Sequence, residues 1–154
     1  MLNAFAIIFH LLAINIWVGG MFFIIIVLGR VVASLEAAEQ NVFWQKILRR
    51  FFFWVWVAII TLLGSGIGMI LYRFGGLSSA PFYIQVMASL GLLMSALFFL
   101  IYFVYYRRFR QYVDRGDLQA SRQQLRMIRR LGIFNMVLGL CVVVVIGGGP
   151  YFLR

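Results

Sequence analysis

His10 is the only histidine among the 154 residues, and it lies in an apolar run that reads FHLLAINIWVGGMFF over 9–23. An imidazole inside a membrane-spanning run should face the bundle interior, and it marks a functional site by default. Its chemistry is that of a ligand, because an unprotonated ring nitrogen binds iron or copper. Thioether partners are at hand. Met87 and Met69 fall within about one helical turn of the His10 level when successive spans are laid side by side. Either could complete a haem b iron with His10, a ligand pair that raises the reduction potential. Two His10 residues could also meet across the interface of a homo-oligomer. Thioethers favour Cu(I) as well. Met87 and Met94 are seven residues apart on one face, and Met21 and Met136 extend a path for copper transport. The simpler reading is that His10 hydrogen-bonds a serine or a carbonyl while the methionines fill space between helices.

The neighbourhood of His10 can be mapped from spacing. His10, Ala13, Ile14, Trp17, Met21 and Ile24 share a helix face. Trp17 either packs on the edge of a macrocycle or fills the core. At the His10 level the other spans offer small residues: Gly64, Ser65, Gly66 and Gly68, then Ser89 and Gly91, then Gly147. Such residues let helices approach closely, or leave room for a flat group beside a ligating histidine. Gly66 and Gly68 are therefore candidate cofactor-lining positions. Asn15 should sit level with Thr61 and Ser65 and bond across the bundle. No catalytic constellation is visible. The four acidic residues, Glu36, Glu39, Asp114 and Asp117, lie between the spans, so no intramembrane carboxylate is placed to move protons. Cys141 is the single cysteine, which rules out an internal disulfide, and no zinc-binding spacing occurs.

The elements that must hold these residues follow from composition. The chain is 64% hydrophobic and 18% aromatic, with a mean hydropathy of +1.00. These values exclude an ordinary soluble domain. A membrane helix needs about 20 apolar residues. Four stretches qualify, at about 3–28, 51–73, 82–106 and 131–152. The first lacks a basic leader and is too long for a signal sequence, so it is expected to be retained. The fold expected is one all-α transmembrane domain over 1–154, a four-helix up-down-up-down bundle. Basic residues cluster between the first two spans (Arg30, Lys46, Arg49, Arg50) and between the last two (from Arg107 to Arg130). The positive-inside rule then places both segments in the cytoplasm and both termini outside. Anionic lipid accounts for the net charge of +10, and no nucleic-acid motif accompanies it. Trp44, Trp54 and Trp56 are expected at headgroup depth. Asp117, after the Arg115-Gly116 turn, is the expected N-cap of the last helix.

The run from His10 through Trp17, Val18, Gly19 and Gly20, the four spans and the basic segment before the last of them resemble the copper-resistance D (CopD) membrane family. "TLLGSGIGM" at 61–69 adds to the likeness. That family is similar in turn to the HemJ-type four-helix haem proteins. The CopD resemblance implies a bacterial inner (plasma) membrane protein tied to copper uptake or tolerance. The HemJ resemblance implies haem b on the first-helix histidine, with electrons passed to a quinone or another redox partner. HemJ-type proteins are expected to carry a lysine early in the third helix. Here that region reads "FYIQVMASLG", with Tyr83, Gln85 and Met87, which speaks against porphyrinogen oxidation. The function expected is membrane redox chemistry or copper homeostasis through His10. Its rival is a non-catalytic accessory subunit of a larger membrane complex.

Overall fold

The computed structural model describes residues 2–152, with side chains described over 4–148. Four helices carry the chain. They are α1 (Ala4–Val32), α2 (Ala37–Phe74), α3 (Phe82–Asp114) and α4 (Leu118–Phe152). All four are long and apolar enough to cross a membrane. Among the described residues there is no strand.

Each helix outruns the apolar stretch that announces it. The linker "AAEQNVFWQKILRR" contains good helix formers and no glycine or proline, so α2 begins at Ala37 and carries the basic end of the bundle. Three short joints reverse the chain. After the break at Ala33–Glu36, the second joint uses Gly75 in the left-handed region (φ 72°), whose N–H bonds Leu71 O at 3.0 Å. The third uses Gly116 (φ 73°), and Asp117 Oδ1 then accepts the Ala120 N–H at 2.9 Å, so the expected N-cap is formed.

The core forms where α1 lies on α2 and α4, and α3 on α4. Two positions demand glycine. A Cβ on Gly139 would fall 2.5 Å from Val18 Cγ2, and one on Gly20 would fall 2.6 Å from Phe51 Cε2. Aromatic rings fill the middle. Phe52 meets Phe98, Tyr102 and Tyr106 edge-on, with centroids 4.8–5.9 Å apart. At the basic end, Asn41 donates to Ser121 Oγ (2.7 Å) and Gln45 to Asp114 Oδ1 (3.0 Å), tying α2 to α4 and α3.

α1 departs from a regular helix. It widens into π-helical turns at Asn15–Gly19 and Phe23–Leu28. Each such turn advances the buried stripe by about a residue. The core face therefore runs Ala13, Ile14, Trp17, Val18, Met21, Ile25, with Ile24 only half-buried. Asn15, five residues from His10, stands about 140° round the helix from it and points outward. It is exposed and donates to Leu11 O in its own helix, while Thr61 bonds Val57 O, so the cross-bundle bond expected between them does not form. Cys141 is also exposed rather than packed inside.

Candidate metal-binding groove

His10 meets α2 side-on. The Ser65 hydroxyl is 2.6 Å from Thr61 O, one turn back along α2, and 2.8 Å from His10 Nδ1. A hydroxyl has one proton to give, and a contact of 2.6 Å between two oxygens requires it there. Ser65 Oγ therefore donates to Thr61 and accepts from His10 Nδ1–H. The proton on Nδ1 leaves the lone pair on Nε2, the nitrogen that remains free to ligate. Serine thus does for this ring what the outer hydrogen-bond partner of a metal-bound histidine does: it fixes tautomer and orientation.

Gly66 makes room for the ring. A Cβ there would lie 3.4 Å from His10 Cε1 and 3.9 Å from Nδ1. The space opposite His10 at this position is thus used by the imidazole itself. Beyond the ring opens a groove of about 350 Å³ between α1, α2 and α3. Its walls include His10, Trp17, Gly66, Met87, Gly91 and Met94. A Cβ on Gly91 would meet nothing within 4 Å, so this wall is open. The groove is almost wholly apolar, and no lysine or arginine lines it among the described residues.

The sequence-derived candidates separate here. His10, Trp17, Gly66 and Met87 share the groove. Gly68 and Met69 lie on the same stretch of α2 but outside the lining, Gly68 on the exposed side. Met94, buried, joins Met87 on the α3 wall, whereas Met21 lies beyond Trp17 and Met136 lines neither space. Trp17, 2% exposed and edge-on to Phe98 at 6.2 Å, is the floor of the groove. It fills the core and also borders a second cavity toward the basic end. Ser65 supplies the serine hydrogen bond that the simpler reading of His10 expected. The signal for it is its place one residue before Gly66, at the His10 level.

What this arrangement can do is bind a soft cation or a group with one open coordination position. One imidazole nitrogen and a thioether on a facing helix suit Cu(I). Among the described residues no group of three or more His, Cys, Asp or Glu side chains assembles.

The family model described as copper resistance protein D matches residues 45–148, more than half of the chain. The matched segment comprises most of α2 together with α3 and α4; α1 and His10 precede it. No curated protein and no solved structure matches the chain.

Proposed function

The chain belongs to the copper resistance protein D family and is a multi-pass protein of the inner membrane, and from that premise we propose that it handles copper by binding Cu(I) at His10. The observation that carries this reading is the hydrogen-bond chain from His10 Nδ1 through Ser65 to Thr61 O, which frees Nε2 as a ligand. Met87 supplies a thioether from the opposite wall, and Met94 a second one deeper in the groove. Copper is the cargo here, not a resident cofactor. Cu(I) is soft and singly charged, and sulfur and nitrogen donors offset the cost of taking it out of water into an apolar groove.

Haem b is the second reading. It is favoured by the same single, oriented imidazole, because a haem iron needs only one protein ligand. His10 would hold the iron, Ser65 would keep the ring in register, and Gly91 would leave the far wall open. The bound group would supply one-electron chemistry, with a quinone or redox protein as partner. The groove offers no lysine or arginine to its carboxylates, and for that reason copper ranks first.

Copper content and the absorption spectrum of the purified chain separate the readings. Copper near one per chain, without a Soret band and lost in His10→Ala, supports the proposal. A Soret band lost in His10→Ala promotes haem. Undiminished copper in His10→Ala overturns the ligand assignment. Neither metal nor haem in the folded wild type leaves His10 a packing residue and the chain an accessory subunit.

A further inference from the structure

A second cavity, of about 370 Å³, opens at the basic end of the bundle. Its depth is aromatic and apolar, with Trp17, Phe52 and Phe98. Arg122, Arg126 and Arg129 border it from one face of α4, spaced i, i+4, i+7. All three are exposed. No acidic side chain lines the cavity among the described residues. The Arg129 guanidinium lies over Gly29 of α1, where a Cβ would come within 3.4 Å of it.

Asn135 lines the same cavity at 1% exposure, and its Oδ1 has no hydrogen-bond partner. That oxygen is itself closed off from the open space, so Asn135 marks the inner limit of the cavity rather than a contact for what fills it. Asn135 lies six residues beyond Arg129 along α4, a depth of about 9 Å.

Three cations without a counter-charge repel copper, so this cavity is not the continuation of the His10 groove. They are complementary to an anion, and the apolar depth requires that the anion carry a hydrocarbon tail. We propose that the cavity binds one anionic phospholipid of the adjoining leaflet. Its phosphate lies among the guanidinium groups, and an acyl chain enters the aromatic depth. Basic pockets between spanning helices bind anionic head groups in this way. The proposal uses neither His10 nor the copper reading.

Native mass spectrometry of the full chain in mild detergent tests it, with phosphatidylglycerol or phosphatidylcholine added at equal concentration. The expected result is one retained phosphatidylglycerol per chain and little phosphatidylcholine. Replacing Arg122, Arg126 and Arg129 together by Gln should lower retention at least about tenfold, since each arginine near an anionic lipid contributes appreciably. Replacing Arg107, Arg108 and Arg115 by Gln removes the same charge away from the cavity and should change little. Ala33→Trp, on the rim, keeps every charge but narrows the space, and should also lower retention. Equal retention of the two lipids by the unmodified chain overturns the proposal without any variant having to fold. So does an equal loss in the two arginine triples, which would mean diffuse attraction, or full retention in Ala33→Trp.

Discussion

At His10 the outcome turns on one hydroxyl. Ser65→Ala removes the acceptor that holds the Nδ1 proton, yet leaves the ligand in place. Loss of such an outer partner typically costs about 10–100-fold in metal affinity. The same drop in copper affinity is expected of Ser65→Ala, measured by competition with a Cu(I) chelator, while the helical circular dichroism stays that of the wild type. Gly66 is expected to respond through the ring as well. A methyl at 3.4 Å from His10 Cε1 would be in ordinary contact, so Gly66→Ala should leave the ring in place, whereas the longer, branched side chain of Gly66→Leu should displace it and break the Ser65 contact. Trp17→Ala should act differently. Removing a buried Trp costs about 3–5 kcal/mol, and here it would also merge the two cavities. A lower melting temperature, with copper binding retained in whatever fraction stays folded, is the expected signature.

Among the elements, the close approach of α1 to α4 is the joint most sensitive to size. Gly139→Leu drives a side chain into Val18 and Met94, and overpacking of this kind costs about 1–3 kcal/mol. Asp117→Ala at the start of α4 should cost about 1 kcal/mol through the lost cap. Thermal unfolding in detergent measures both, and Gly139→Leu should be the more harmful. The four helices were legible in the sequence because 20-residue apolar runs have no other use, and the Asp117 cap because its side chain follows a glycine turn. The shared level of His10, Ser65 and Gly66 was legible because helix rise is constant. The roles of Gly68, Met69 and Asn15 were not. Depth says nothing about azimuth, and the π-helical turns rotate α1 away from the regular periodicity on which its face was drawn. Trp56 illustrates the same limit. Its place beside a basic segment spoke of depth and not of facing: it turns inward and stacks on Phe99 in the aromatic cluster, with centroids 5.4 Å apart. The inner cavity was hidden for another reason: lipid-facing and cavity-lining arginines look alike in a sequence.

For the whole molecule, four antiparallel spans put the His10 groove and the arginine cavity at opposite ends, divided by Trp17. The positive-inside rule predicts that the basic joints face the cytoplasm. Reporter fusions after Gly76 and after the last residue should therefore read as outside, and one at Ser34 as inside. An inside reading at the C-terminus would invert the bundle and place His10 in the inner leaflet. Whatever its orientation, the account rests on one ring nitrogen. The decisive measurement is a Cu(I) competition titration on the purified wild type beside His10→Ala and Met87→Leu. The account predicts one tight site in the wild type, its loss in His10→Ala and a weakened site in Met87→Leu. A His10→Ala protein that binds Cu(I) as tightly as the wild type would contradict it.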